Sequence, residues 1–387
     1  MSDLVVRHIG RLTTWARPVL ENAALVISDG HVSWVGPDRD LPAAVGAPEL
    51  DAGGAAVLPG FVDCHTHAVW AGSRRDDFVA RVDGRAGYVP AGIASTVAAT
   101  RAATNDELRT LAQKRIDTAC AHGTTTIEVK SGYGLSVDDE LRLLDVAGAL
   151  QGPAVTATYL GAHVVPDGRN RDEYVDEVVA TLPTVREHGA QWCDAFCDDG
   201  AFTVDEARRI LTAATDIGLG TRMHAEQLAQ TGAAQLAAEL RCASADHLDH
   251  VTSDDAQSLA ENDVVGVLVP VAGLYSRTGK WGHGRRLLDA GVTIAIATDC
   301  NPGTAWCESM PYAMQLACLE MGLPVDVVLK AATLGGAKAL RMNDRGHLGV
   351  GARGDLVVLD AAHEVDVLAH CGPNGLARTI VAGCPIG

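Results

Sequence analysis

Residues 59–67 read Pro-Gly-Phe-Val-Asp-Cys-His-Thr-His, a turn followed by a short apolar strand and two histidines. In an extended strand, residues i and i+2 point to the same side, so His65 and His67 project together and can bind one metal ion. The alternative is that these are two unrelated histidines. From this stretch onward, short apolar runs alternate with longer helical segments, which is typical of parallel βα units.

Eight candidate strands can be counted in this part of the chain, and eight βα units close a (β/α)8 barrel of the TIM type. The strands are predicted at residues 60–63, 124–129, 154–160, 191–196, 220–223, 243–245, 264–269 and 293–297. We therefore predict an α/β fold with a catalytic barrel over residues 59–345.

The two chain ends have a different pattern of short strands and turns. Asp29-Gly30, between two apolar runs, is a strong hairpin signal. A second group of strand-like runs follows residue 346. We predict that residues 1–58 and 346–387 pair into one small β-sandwich domain.

Composition and charge exclude several classes of partner. The 387 residues carry a net charge of −18, which disfavours binding to nucleic acid and to anionic membranes. The sequence contains no run of about 18 apolar residues, so no membrane span is predicted. The ten cysteines are irregularly spaced, which favours reduced thiols and a cytoplasmic location.

Polar side chains follow almost every candidate strand. The residues at these strand ends are His65, His67, Lys130, His163, Cys197, His224, His247 and Asp299. Because the carboxyl ends of all the strands of a barrel meet on one face, which is where active sites lie, we expect these side chains to converge.

Taken one at a time, these residues also fit purely structural roles. His224 alone is better interpreted as a hydrogen-bonded core residue. For Asp299, a cap of the next helix is the alternative to a metal ligand. His247 is favoured over His250 as the ring that faces the barrel mouth. Together, three neutral imidazoles and one carboxylate suit zinc or a similar first-row ion, which lowers the pKa of a bound water to about 7. The pattern predicts a metal-dependent hydrolase in which Asp299 binds the metal and accepts a proton.

The whole chain resembles the amidohydrolase superfamily. The matching segments are residues 59–67, the strand-end His224 and His247, residues 298–299, 331–340 and 351–358. The resemblance implies metal ligands at His65, His67, His224 and Asp299 and one divalent or trivalent ion, zinc or iron. It also implies a homodimer. Binuclear relatives place a carboxylated lysine at the fourth strand, where this chain has Phe196-Cys197-Asp198. We therefore expect a single ion, with Lys130 in a structural ion pair.

Four segments resemble one branch of that superfamily, the imidazolonepropionases. They are residues 71–74 (AGSR), 124–135 (TTTIEVKSGYGL), 159–163 (YLGAH) and 299–304 (DCNPGT). The resemblance implies hydrolytic opening of 4-imidazolone-5-propanoate to N-formimidoyl-L-glutamate in histidine degradation. The substrate contacts that it implies are Arg74, Tyr133, His163, Asn301, Gly303 and Thr304.

Gln227 is a departure from that family, many members of which carry a glutamate at this position. Because glutamine can hydrogen-bond the substrate but cannot carry a proton, we assign the catalytic roles to Asp299 and His247. A shift of register that would make Glu226 the acid is the alternative. Arg74 is expected to bind the anionic tail in bidentate fashion, its alternative being a solvated loop cation.

Two other functions remain open at this point. One is a related cyclic-amide hydrolase or a deaminase on the same barrel, since a neutral base would not need Arg74. The other is a non-catalytic scaffold, which the four retained ligands argue against. Residues 83–93 are predicted to be either a mobile loop over the pocket or a static turn.

Overall fold

The computed structural model describes residues 3–42, 46–85, 90–277, 281–372 and 374–386. Residues 86–89, in the middle of the predicted loop 83–93, lie outside the described residues. The N-terminal part of the chain forms five short strands. They are β1 (Leu4–Leu12), β2 (Leu20–Ser28), β3 (His31–Pro37), β4 (Glu49–Asp51) and β5 (Ala56–Pro59).

A barrel of eight parallel strands follows, as predicted. The strands are β6 (Phe61–Asp63), β7 (Thr124–Lys130), β8 (Ala154–Ala162), β9 (Ala190–Cys197), β10 (Gly220–Ala225), β11 (Ser244–His247), β12 (Val265–Leu268) and β13 (Ile294–Ile296). They pair in chain order, and nearly every residue in them is buried. Because both faces are buried, several of these strands, such as β12 and β13, read as apolar runs rather than as an alternating pattern.

The first and last strands of the barrel meet just beyond their carboxyl ends. The Asp299 amide donates to the His65 carbonyl at 3.0 Å, and the His67 amide donates to the Cys300 carbonyl at 3.0 Å. The buried Asp63 carboxylate accepts a bond from the Thr298 hydroxyl at 2.6 Å. Closure of the barrel thus places the His65-Thr66-His67 motif next to Asp299.

Helices surround the barrel and cover the ends of its strands. They are α1 (Arg75–Val82), α2 (Ala94–Ala102), α3 (Asn105–Ala121), α4 (Val137–Gly148), α5 (Arg171–Glu187), α6 (Val204–Asp216), α7 (Ala233–Glu239), α8 (Ser253–Glu261), α9 (Pro270–Ser276), α10 (Gly284–Asp289), α11 (Met310–Leu319), α12 (Val325–Lys330), α13 (Gly336–Ala339) and α14 (Asp366–Ala369). A π-helical turn (Ala331–Gly335) joins α12 to α13. Threonine capping boxes begin α3, α6 and α8.

The C-terminal strands return to the N-terminal ones, as predicted. They are β14 (Leu356–Leu359), β15 (Leu376–Val381) and β16 (Cys384–Ile386), and the sheet order is β16-β15-β14-β5-β1-β2-β3, with β4 on β1. The predicted sandwich is in detail one continuous mixed sheet, because β5 pairs with both β1 and β14. Its side chains enclose an apolar core separate from that of the barrel.

Two predictions about the chain as a whole can be compared with the structure. Among the helices of the described residues, none has the length and apolarity that crossing a membrane requires. All ten cysteines are free thiols, and seven of them are buried.

Candidate metal centre and active site

Four side chains converge at the carboxyl end of the barrel. The Asp299 carboxylate oxygen Oδ1 lies 3.5 Å from Nε2 of His65 and 3.5 Å from Nε2 of His67. His67 Nε2 lies 3.4 Å from His224 Nε2. In a tetrahedral site with bonds of about 2.1 Å, neighbouring ligand atoms are about 3.4 Å apart. These three separations are therefore those expected between ligand atoms around one first-row metal ion.

The ring nitrogens on the other side of two of these histidines face carboxylates. His65 Nδ1 lies 2.6 Å from Asp246 Oδ2, and His224 Nδ1 lies 3.0 Å from Asp194 Oδ2. Such partners fix the proton on Nδ1 and leave Nε2 as the ligand atom. Burial lowers the pKa of His65 and of His67 well below 6.5, so both rings are neutral, as metal ligation requires.

These two carboxylates belong to a buried ionic cluster. Lys130 Nζ is 2.8 Å from both Glu128 Oε1 and Asp194 Oδ2, and Arg222 Nη2 is 3.4 Å from Asp246 Oδ2. Burial opposes the charge of Lys130, but Asp194 and Glu128 raise its pKa, so it is protonated. The expectation of a structural ion pair at Lys130 agrees with these contacts. We call these five residues the ionic cluster.

A small pocket opens over the metal centre. Its lining residues are His67, Arg74, Ile93, Tyr133, His163, Phe196, His224, Gln227, His247, Asp299, Asn301 and Thr304. The structure thus brings nearly every predicted site residue together. His65 is fully buried beneath the pocket, and Gly303 packs against Arg74 so closely that a Cβ atom there would lie 2.5 Å from Arg74 Nη1.

Arg74 is a buried cation in the wall of this pocket. It is 6% exposed, whereas Arg75 beside it is exposed. Its Nε donates to Asp77 Oδ2 at 2.6 Å, which fixes the plane of the guanidinium. The position in the pocket favours a ligand-binding residue over a solvated loop cation.

Two further histidines line the pocket. His163 Nδ1 lies 2.8 Å from the Gly132 carbonyl, and burial lowers the pKa of His163 to about 4, so the neutral ring carries its proton on Nδ1. His247 is fully buried, and neither of its ring nitrogens has a hydrogen-bond partner among the described residues. Burying an imidazole without hydrogen-bond partners costs free energy. This cost favours a role for His247 in binding a ligand.

Asn301 organises the loop after β13. Its Oδ1 accepts from the amides of Gly303 and Thr304, both at 2.8 Å, and its Nδ2 donates to the Asp299 carbonyl at 2.7 Å. Because both ends of the amide are engaged within the loop, Asn301 shapes the pocket wall that Thr304 and Gly303 form.

In the loop after β10, the side chains of Glu226 and Gln227 lie in different surroundings. Gln227 lines the pocket, and its backbone amide donates to Asp198 Oδ2 at 2.7 Å. The Glu226 carboxylate instead accepts bonds from the amides of Thr231, Gly232 and Ala234, at the start of α7. This geometry disfavours the alternative in which Glu226 is the acid of the site.

Left-handed backbone conformations occur in non-glycine residues at several of the same strand ends. The φ angles are 51° at Leu135, 55° at Glu226, 77° at His247 and 54° at Asp299. Conformations of this kind cost about 1–3 kcal/mol each and cluster at functional sites. They turn the chain sharply after the strand, which places the following residues over the barrel mouth.

Several residues of the site were not predicted from the sequence. Asp194, Arg222 and Asp246 lie inside the barrel strands, and Phe196 and Ile93 form apolar wall of the pocket. A signal was present, because Glu128-x-Lys130, Asp194-x-Phe196 and Arg222-x-His224 have the two-residue period that points both members of a pair to one side. Their partners across the barrel could not be read from the period alone.

Comparison with known proteins extends this picture. A profile of the amidohydrolase family matches residues 56–384. Imidazolonepropionase of Salinispora arenicola is 44% identical over 395 residues, which cover 100% of this chain and 99% of that protein. Imidazolonepropionase of Mycolicibacterium smegmatis is 44% identical over 392 residues, covering 99% and 97%.

Solved structures share the fold at lower identity. 5-Methylcytosine deaminase from Klebsiella pneumoniae superposes with a TM-score of 0.78 at 16% identity, covering 99% of this chain and 98% of that one. The family match and the His/Asp cluster together support a bound metal ion. The chain therefore belongs to the amidohydrolase family and, within that family, to the imidazolonepropionases.

Proposed function

We propose that this protein opens the ring of 4-imidazolone-5-propanoate with water to give N-formimidoyl-L-glutamate, a step of histidine degradation. The observation that carries the proposal is the presence, in one small pocket, of a His/Asp cluster and the buried cation of Arg74. The substrate has a ring amide to be hydrolysed and a carboxylate tail to be bound. The relatives that are 44% identical bear the name of this activity.

The metal would be held by His65, His67, His224 and Asp299. One zinc or iron ion at this place supplies an electrophile and a water whose pKa is about 7. Imidazole nitrogen suits both metals, so the ligand set alone favours neither. Metal analysis of the purified protein would decide between them.

The carboxylate tail is assigned to Arg74, with Tyr133 and His163 on the neighbouring loops. The net charge of −18 repels an anion at long range, but charges are screened beyond about 8 Å at physiological salt. Recognition is therefore local. The guanidinium, held by Asp77 through Nε, keeps its remaining N–H groups for a bidentate contact.

The proton transfers are assigned to Asp299. It would take a proton from the attacking water and deliver it to the departing ring nitrogen. His247, a neutral ring with no hydrogen-bond partner among the described residues, would donate a hydrogen bond to the developing oxyanion. Gln227 would hold the ring by hydrogen bonds without exchanging a proton, and the loop of Asn301, Gly303 and Thr304 would orient the ring edge.

The deciding experiment is a turnover assay on 4-imidazolone-5-propanoate. We expect loss of the ring absorbance with the metal-loaded protein, formation of N-formimidoyl-L-glutamate by mass spectrometry, and loss of activity after chelation. Zinc and iron(II), added back separately, should restore activity to different degrees. A metal-loaded protein that leaves this substrate intact but deaminates a neutral base or opens another cyclic amide would favour the alternative function.

The remaining proposals concern partners and location. We propose a cytoplasmic homodimer that binds a small anionic substrate and neither nucleic acid nor membrane. The support is the family resemblance for the dimer and the acidic net charge for the excluded partners. Light scattering after gel filtration tests the dimer, and a mass equal to one chain would refute it.

A further inference from the structure

A buried carboxylate outside the pocket holds one of the pocket loops. Glu140, on α4, is 1% exposed. Its Oε2 accepts the amide of Gly132, and its Oε1 accepts the amides of Gly134 and Leu135, all at 2.7 Å. Burying a carboxylate costs free energy unless hydrogen-bond donors surround it. Losing any of these three bonds would therefore destabilise the buried Glu140.

The loop in question carries one side chain of the pocket wall and contacts a second. Residues 131–135, which we call the Tyr133 loop, include Tyr133 in the pocket wall. The Gly132 carbonyl lies 2.8 Å from His163 Nδ1 and so sets the proton position of that ring. The ring centroids of Tyr133 and His163 are 5.4 Å apart. One carboxylate thus controls the backbone that positions both rings.

The loop turns through two residues with positive φ, and for the non-glycine Leu135 this conformation is strained. Gly132 has φ of 104° and Leu135 has φ of 51°. A Cβ atom at Gly134 would lie 2.6 Å from the Glu140 amide nitrogen, so the loop is pressed directly against the start of α4. Bonds to Glu140 offset the strain of this arrangement.

A helix-capping role does not account for Glu140. The N-terminus of α4 is already capped by the Ser136 side chain, which accepts from the Asp139 amide. The Glu140 carboxylate turns back to the loop instead. In α8, by contrast, the buried Asp255 bonds to the amide and hydroxyl of Thr252 and to Gln235, which is a helix cap away from the pocket.

We propose that Glu140 is a positioning residue that holds the Tyr133 loop so that Tyr133 and His163 form a preformed surface for the anionic tail of the substrate. The assignment of the tail rests on the proposed function, whereas the clamp itself rests on the three backbone bonds. A glutamine at this place has one acceptor oxygen, and its amino group would face amides that also donate.

The test compares Glu140→Gln with Asp255→Asn, since both variants remove one charge from a buried carboxylate that accepts several hydrogen bonds. Backbone hydrogen exchange is measured in the substrate-free protein, and KM and kcat are measured on 4-imidazolone-5-propanoate. We expect faster exchange at Gly132, Gly134 and Leu135 only in Glu140→Gln. We also expect its KM to rise about tenfold, the equivalent of one charge-assisted hydrogen bond, with a smaller change in kcat. Asp255→Asn should lower the melting temperature without raising KM.

A double-mutant cycle with Tyr133→Phe separates positioning from general destabilisation. If Glu140 acts through Tyr133, the combined effect on KM is smaller than the product of the two single effects. A multiplicative result, or equal KM in the Glu140→Gln and Asp255→Asn proteins, would overturn the proposal. If the wild-type protein leaves the substrate intact, the proposed function fails, while exchange still decides about the clamp: unchanged protection of the three amides refutes it.

Discussion

Two buried regions of this protein differ in what fills them. Inside the barrel, beneath the metal centre, Glu128, Asp194 and Asp246 surround Lys130 and Arg222, and all five are fully buried. In the end sheet, the side chains that pack around Leu25, Ile27 and Leu356 form an apolar cluster. Both regions are buried, but one is rich in charged side chains and the other is built mainly of apolar ones.

The difference indicates which region serves function. A buried ion pair seldom adds stability over well-packed apolar groups of similar volume, because desolvation cancels the attraction. The ionic cluster instead touches the rings of His65 and His224 and so orients two of the proposed metal ligands. The apolar sheet core has no such contact and contributes by burial alone. Changes in the two regions should therefore separate activity from stability.

The largest effect on turnover is expected for Asp299→Asn, which lies in the pocket above the ionic cluster. Turnover should fall by roughly 10²–10⁴-fold, the usual contribution of a positioned acid–base group, while the melting temperature changes little. The measurement is kcat on 4-imidazolone-5-propanoate beside circular dichroism. A variant that keeps near-normal activity would contradict the proton-carrier role.

Lys130→Met should remove both activity and stability. It leaves Glu128 and Asp194 buried without their cation, and breaking such a pair costs about 3–5 kcal/mol. Urea unfolding measures this loss. Adding Asp194→Asn should recover part of the stability but not the activity, since His224 then loses its carboxylate partner. Full recovery of both would show that the ionic cluster has only a structural role.

Leu25→Ala tests the opposite region. The side chain is fully buried in the end sheet, so the free energy of unfolding should fall by about 2–5 kcal/mol through lost burial and a cavity. At a temperature where the variant is folded, kcat and KM should equal those of the wild type. A changed KM would mean that the end sheet communicates with the pocket.

Arg74→Ala should have the smallest effect of the series and act on binding. Loss of hydrogen bonds to a charged group costs about 1.5–3 kcal/mol, which corresponds to a rise in KM of about 10–150-fold. The matched control is Arg75→Ala, which removes an exposed cation from the next position and should leave KM unchanged. Equal KM values in the two variants would refute the assigned role of Arg74.

Much of the fold was predictable because strand periodicity is a local property. All eight barrel strands lie where the apolar runs predicted them, with differences of a few residues at the ends. The short strands β4 and β16 were missed, since three residues carry too little pattern. The pairing of β5 with both β1 and β14 also escaped prediction, because it depends on contacts between opposite ends of the chain.

The site was predicted in its outline but not in its supports. His65, His67 and Asp299 follow strands, and strand ends in a barrel must converge, so the sequence by itself indicated a shared centre. Only the tertiary structure decided that Asp246 orients His65, that Asp194 pairs with Lys130, and that Glu140 holds the Tyr133 loop. The physical reason is the difference between local patterns and contacts of residues that are distant in sequence. Periodicity tells which way a side chain points, whereas the partner of a buried charge is set by how strands distant in sequence are brought together when the barrel closes.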